Sequence, residues 1–251
     1  MYLLFAGIFG LILGSFYSVC ASRYGTEKTV ASPARSYCPH CNHQLTVLEN
    51  IPLLSFIIQK GHCIHCRTRI PLFYPLIELV SMLWAILAAW NATTPLEWIA
   101  LMIIGGICIV ASAIDLRTFL LPDVLTYSGA IIVLGASYAG ILQIDFIQSL
   151  LGAIIGAFAL LAVAAVYKLI RKIDGMGLGD VKFMLMLGAL TGVEHLTIFI
   201  LAASVCALIF SIIAMWGKKN ISTAYVPFGP FLAFGALITY LYGDQIIFFL
   251  H

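Results

Sequence analysis

Residues 181–216 read VKFMLMLGALTGVEHLTIFILAASVCALIFSIIAMW. The run is apolar almost throughout, with Glu194-His195 as its polar interruption, and it admits two readings. As one long helix it crosses a membrane once. As two shorter helices, 181–193 and 196–216, it crosses twice and reverses the sidedness of everything that follows. The first of these is shorter than the ~20 residues a full crossing takes, unless the bilayer thins or the helix extends through flanking polar residues.

The rest of the chain makes a membrane the right context. Of 251 residues, 62% are hydrophobic and 10% charged, and the mean hydropathy is +1.06, well beyond the balance of a soluble domain. Apolar runs of spanning length recur at 3–22, 72–90, 97–116, 124–142, 148–170 and 229–250. With 181–216 counted as two, the chain has about eight spans. The first has no basic segment ahead of it and is followed by further spans, so it reads as a retained helix and not as a cleaved signal. A net charge of +2, with no basic cluster interleaved with aromatics, is too small to suggest a nucleic-acid partner, and none is expected.

Charge decides between one helix and two. The connection after the first span holds Arg23, Lys28, Arg35, Lys60, Arg67 and Arg69. Arg117 follows the third span, Lys168, Arg171, Lys172 and Lys182 surround the end of the fifth, and Lys218 and Lys219 follow the seventh. These are all thirteen Lys and Arg residues, and the alternate connections have none. Cytoplasmic loops collect such residues, so eight spans with the N-terminus outside satisfy the rule throughout. A merged 181–216 helix would put Lys218 and Lys219 on the wrong side.

With that topology, Asp115 ends the third span and Asp180 opens the sixth, both at the cytoplasmic face. Ionisable groups near the hydrocarbon are functional candidates by default. Two carboxyl groups held together share one proton, because like charges at close range do not both ionise. The ionised member takes a proton from a water attacking a carbonyl, and the protonated one polarises that carbonyl and later protonates the leaving amine. The acid Asp180 follows GMGLG, with glycines at 175, 177 and 179. Glycine permits positive φ and close approach of another backbone, so Gly177 and Gly179 are expected to support the site by letting an extended substrate lie alongside. Lys182 either balances the charge of Asp180 or extends to the headgroups.

Asp123, Asp145, Asp174 and Glu194 read as helix-end acids, Asp123 as the N-cap of the fourth span. Glu78, inside the second span, is either functional or the partner of a nearby polar group. Pro227, Gly229 and Pro230 are expected to shape the start of the last helix.

The hydrophilic loop 23–71 contains SYCPHCNHQLTVLENIPLLSFIIQKGHCIHCRTRIPLFYP. Cys38-x-x-Cys41 and Cys63-x-x-Cys66 have nearly the spacing of a four-thiolate zinc ribbon. In a reducing cytoplasm a structural zinc with no open position is expected, disulfides or free thiols being the alternative. His40 and His65 lie inside the pairs and can substitute as ligands. Cys20, Cys108 and Cys206 lie in apolar runs and read as small core residues.

Five segments together resemble the type IV prepilin peptidases: GSFYSVCASR (14–23), the double CxxC loop with ENIPLLS and YPLIELV, AIDLRTFLLPDVLT (113–126), GMGLGDVKFM (175–184) and VPFGPFLAFG (226–235). GxGD alone also occurs in other intramembrane aspartic proteases, such as presenilins. The resemblance implies a multi-pass enzyme of the bacterial inner membrane, surrounded by lipid, that cuts the leader from prepilins or pseudopilins at the cytoplasmic face. Carried over by motif, Asp115 and Asp180 are the catalytic pair. It also implies N-methylation of the new terminus with S-adenosylmethionine, for which no residues are assigned. The chain departs from the family at Ser18, where asparagine is frequent.

The fold expected is an all-α polytopic membrane protein of about eight helices, with a small cytoplasmic zinc-ribbon-like loop between helices one and two. The expected divisions are 1–22 for the first helix, 23–71 for the loop and 72–251 for the protease core. Two rival readings are a proton-coupled transporter relaying protons through Asp115, Asp180 and Glu78, and a non-enzymatic scaffold displaying the zinc ribbon. The absence of an internal repeat, and acids confined to one face, weigh against the transporter.

Overall fold

Gly192 has φ +72° and ψ +170°, and there the long apolar run turns. Backbone of this kind is readily adopted only by glycine. The computed structural model describes all residues except 27–28, 30–31, 33–34, 173–176, 216–225 and 251, and the side chains of 214, 215 and 250. Lys28, Asp174, Gly175, Lys218 and Lys219, singled out above, lie outside the described residues. Every regular element among the described residues is a helix, with two isolated β-bridges in the cysteine loop. Among the described residues, six helices are long and apolar enough to cross a membrane.

The chain divides into two compact units, Met1–Thr94 and Pro95–His251. The first contains α1 (Tyr2–Arg23), the cysteine loop with the short α2 (Leu54–Ile58), and α3 (Phe73–Asn91). In it α1 and α3 pack antiparallel along a seam of small residues. A methyl added at Gly10 would stand 2.6 Å from Ala85 Cβ, and one at Gly14 2.7 Å from Glu78 Cα. With no hydrophobic drive between helices in lipid, such close backbone contact is what favours pairing. The opposite face of α1 leaves Leu4, Phe5, Ile8, Ile12 and Phe16 exposed, as a lipid-facing surface requires.

The second unit contains α4 (Pro95–Thr118), α5 (Asp123–Tyr138), α6 (Phe146–Arg171), α7 (Leu178–Met215) and α8 (Gly229–Leu250). Side-chain pairs fix their directions. Asp115 meets Gly229 and Glu97 meets Tyr240, so α4 and α8 are antiparallel. Gln143, just beyond α5, also reaches Glu97, so α5 runs against α4 and with α8. Lys182 pairs with Asp123, and Met186 fills the space beside Gly129, so the first arm of α7 runs with α5. The second arm opposes α8: His195 pairs with Asp244, Ala203 lies against Gly235, and Phe210 meets Phe231 with the rings tilted and their centroids 5.3 Å apart. The two arms of α7 are therefore antiparallel, joined at Gly192, as the charge pattern requires.

The first arm seats on α6 through Gly188 and Gly152, whose backbones touch: a methyl on either would overlap the other's carbonyl oxygen. Gln148 Nε2 donates to Glu194 at 2.7 Å near the turn. Helix α5 ends earlier than the hydropathy suggests, at Tyr138, because Gly140 takes φ +65°. Pro122 (φ −65°, ψ 127°) occupies the cap position of α5 without a side-chain hydrogen bond. The expected N-cap role of Asp123 is thus corrected: it is the first helical residue, and its carboxylate turns to Lys182. Asp145 is a true cap, its Oδ2 accepting the Ile147 N–H at 2.9 Å.

Candidate active site and metal centre

Asp115 occupies the last turn of α4 and is 5% exposed. The helix ends at Phe119, which turns into left-handed backbone (φ +54°) while its N–H returns to the Asp115 carbonyl at 2.9 Å. The chain then passes through Leu120 and Leu121 to Pro122. Leu121 packs beside two helix starts: a methyl on Gly179 would lie 3.1 Å from its Cβ, and one on Gly229 3.4 Å from its Cδ2.

At the start of α8, Gly229 donates its N–H to Asp115 Oδ2 at 3.0 Å. The first N–H groups of a helix have no partner within it, and here a buried carboxylate from another helix supplies one. Pro230 in this first turn has no N–H to satisfy. The space at Gly229 is also closed: an added methyl would stand 2.8 Å from Asp115 Oδ2. The glycine-proline segment therefore does more than start the last helix.

Asp180, in the first turn of α7, is half-buried, and the residue before it, Gly179, shares Leu121 as a neighbour with the Gly229 that binds Asp115. The two carboxyls, from helices distant in sequence, lie at one end of the second unit. Gly177 is exposed, and a methyl there would meet nothing nearer than 3.9 Å. Gly179 is different: it lies inside the helical turn without left-handed φ, and its missing side chain makes room for Leu121. Lys182 does not turn to Asp180. Its Nζ sits 2.7 and 2.9 Å from the two oxygens of Asp123 and 5.7 Å from the centre of the Tyr127 ring. Two residues apart on a helix, Asp180 and Lys182 point in different directions.

The other end of this unit holds a buried acid that sequence reading missed. Glu97 is 0% exposed, and its Oε1 accepts from Gln143 Nε2 at 2.8 Å and Tyr240 Oη at 2.9 Å. An acid in the first turn of a helix reads as an ordinary dipole partner, so only its burial distinguishes it. Glu97 fastens α4, the α5–α6 connection and α8 at the end away from Asp115.

In the first unit, Glu78 Oε2 accepts the Leu53 N–H at 2.8 Å, and Ser15 bonds to the same carboxylate. Leu53 has φ +58°, and Glu78 thereby holds the strained residue that begins α2. Of the two readings of Glu78, the partner role is the one the contacts describe. Ser18 is 2% exposed and gives its hydroxyl to the Ser15 carbonyl at 2.7 Å, within its own helix.

The cysteine loop is built from two like knuckles. Cys38 N–H bonds the His43 carbonyl and Cys63 N–H the Thr68 carbonyl, each at 2.9 Å. Asn42 N–H returns to Cys38 and Arg67 N–H to Cys63, also at 2.9 Å, with φ +57° and +59° at the two returning residues. The four Sγ atoms lie within 4.8 Å of one another, and Cys38 and Cys66 are 3.7 Å apart. A tetrahedron with Zn–S bonds of ~2.3 Å has an edge of ~3.8 Å, so this donor set fits zinc. His65 does not join the thiolates, and His40 is exposed; His65 instead stacks on His43 beside Glu49.

The fold and these sites define a polytopic helical membrane protein with a paired-carboxylate end and a four-thiolate loop. Residues 8–92 match the bacterial peptidase A24 N-terminal domain, and residues 102–212 match the type IV leader peptidase family. The chain belongs to that family of bacterial membrane enzymes. It is 35% identical to the prepilin leader peptidase/N-methyltransferase of Burkholderia pseudomallei, over 97% of this chain and 86% of that protein. The protein of that name from Aeromonas salmonicida is 35% identical over 84% of this chain and 72% of its own length. The one from Pseudomonas aeruginosa is 32% identical over 95% and 90%. No solved structure matches the chain.

Proposed function

We propose that the protein is an aspartic endopeptidase that removes the leader of prepilins or pseudopilins at the cytoplasmic face, with Asp115 and Asp180 as its catalytic pair. The observation that carries this reading is the shared packing of Leu121 against Gly179 and Gly229, which sets Asp180 and the Gly229-bound Asp115 at one end of the second unit. Asp115 Oδ2 is engaged by the Gly229 N–H, which fixes the carboxylate and directs its other oxygen. Asp115 then accepts the proton of the attacking water. Asp180 carries the shared proton, donates it to the substrate carbonyl oxygen, and the pair returns a proton to the leaving amine. The open edge at Gly177 gives an extended substrate backbone a place to run past Asp180. The concentration of Lys and Arg in alternate connections supports a cytoplasmic position for this end.

The cysteines Cys38, Cys41, Cys63 and Cys66 would hold a structural zinc, whose charge pins the two knuckles into one loop domain. Methyl transfer from S-adenosylmethionine is proposed for this chain on its relatives' name. The polar groups around Glu78, Ser15 and Ser81 do not fit that donor. Glu78 is engaged by Leu53 and Ser15, Ser81 Oγ is buried without a hydrogen-bond partner, and the seam is closed: even a methyl on Gly14 would stand 2.7 Å from Glu78 Cα.

The test is Asp115→Asn and Asp180→Asn, each alone, in membranes supplied with a prepilin. Mass analysis of the product's N-terminus reads both cleavage and methylation. Each variant is expected to lose cleavage by orders of magnitude while still inserting. Normal processing by either one refutes the pairing.

A further inference from the structure

We infer that the cysteine loop carries a second divalent-cation site, formed by His43, Glu49 and His65 beside the four thiolates. The donors come from three places: the segment after the first knuckle, the short 3-10 turn Leu48–Asn50, and the interior of the second knuckle. One ligand atom from each lies within 4.8 Å of the others. His43 Nε2 is 3.4 Å from Glu49 Oε2, and His65 Nε2 is 3.6 Å from Glu49 Oε1.

Those separations are long for hydrogen bonds, whose N···O distance centres near ~2.9 Å. The first matches something else, and the second lies within ~0.3 Å of it. Around a tetrahedral ion with bonds of ~2.0–2.1 Å to nitrogen and oxygen, neighbouring ligand atoms are ~3.3–3.4 Å apart. The two imidazoles stack with centroids 3.5 Å apart and a 33° tilt, so both direct Nε2 at one carboxylate. An arrangement that leaves three lone-pair donors converging, without good bonds among themselves, is completed by a cation.

The carboxylate is held ready for this. Thr46 donates its N–H and its hydroxyl to Glu49 Oε2, at 2.8 and 2.7 Å. Oε2 is thereby held facing His43 Nε2, with Oε1 facing His65 Nε2. Hydrogen bonding of a ligating carboxylate by a neighbouring residue is the usual way such ligands are oriented. Two imidazoles and one carboxylate suit zinc or a similar borderline cation. Three protein donors leave the fourth position to water, unlike the closed thiolate set. His65 is half exposed, so this ion exchanges with solvent more readily than one held by four sulfurs.

The experiment is cobalt titration of the full-length protein in detergent, stripped of metal and kept reduced. Two equivalents are expected, one giving strong sulfur-to-cobalt charge transfer and the other adding only weak d–d bands. Glu49→Gln should saturate at one equivalent with the charge-transfer band unchanged, which also reports that the loop is folded. His65→Asn, at the most exposed of the three positions, is the second variant and decides the matter if the first loses that band. Saturation of the unaltered protein at one equivalent overturns the proposal. So does a second equivalent that persists in a folded variant.

Discussion

Replacing Gly229 by alanine probes the carboxylate pair without touching either carboxyl. The new Cβ would stand 2.8 Å from Asp115 Oδ2 and 3.3 Å from its Cγ. Heavy atoms in comfortable contact sit near ~3.5 Å, so the carboxylate or the start of α8 must shift by ~0.7 Å. That shift lengthens the 3.0 Å bond from Gly229 N–H to Asp115 past useful range. A hydrogen bond to a charged group contributes ~1.5–3 kcal/mol, and misplacing a reacting group by ~1 Å costs ~100-fold in rate. Both routes give a fall in kcat of about tenfold to a hundredfold. The assay is leader removal from a prepilin in detergent or liposomes, with thermal unfolding measured in parallel to show that the helix bundle is intact. Gly135→Ala, in α5 and outside the site, is the matched control: nothing lies within 4 Å of its methyl, and it should change the rate by less than ~3-fold. If Gly229→Ala cleaves within threefold of the unaltered enzyme while folding normally, the Gly229 contact does not orient Asp115 and the proposed mechanism loses its anchor.

Lys182→Ala should leave cleavage within ~3-fold, because Lys182 is spent on Asp123 in an exposed ion pair of the kind that contributes little. A hundredfold loss would return it to the site. Gly192→Ala should lower thermal stability in detergent by the equivalent of ~1–3 kcal/mol, from strained φ alone, and by more if Ile144 cannot yield to a methyl 2.6 Å from its Cδ1. An unchanged unfolding temperature would show that the turn between the arms of α7 does not need glycine.

How much of this was legible in the sequence depended on whether the relevant force acts along the chain or between distant parts of it. The reversal inside 181–216 followed from Lys218 and Lys219, because sidedness is set by charge and each crossing flips it. The residue that makes the turn, Gly192, lay two positions before the polar pair expected to mark it. The common end of Asp115 and Asp180 followed from the same bookkeeping of crossings. The partner of Lys182 did not, since Asp123 and Asp180 are both acids near the same surface and only helix phase separates them. Glu97 was invisible because burial by α8 and by the residue at 143 is a tertiary property. The cysteine pairs announced themselves by spacing, whereas His43, Glu49 and His65 keep no regular interval. Their meeting depends on how the two knuckles fold against the 48–50 turn.

The first arm of α7 and helix α5 are the shortest apolar segments of the second unit, and they lie side by side. At 1.5 Å per residue they rise roughly 21 and 24 Å, against about 30 Å of hydrocarbon in a typical bilayer. Their surroundings differ: α5 turns Val124, Tyr127, Ile131 and Tyr138 outward, whereas Phe183, Met184, Met186, Leu187, Ala189 and Leu190 of the first arm are sheathed by protein. Acyl chains therefore have to match the shorter length along α5 and not along the arm that begins with Asp180. That carboxyl stands on a strut whose length is set by its neighbours, so bilayer thickness reaches it only through them.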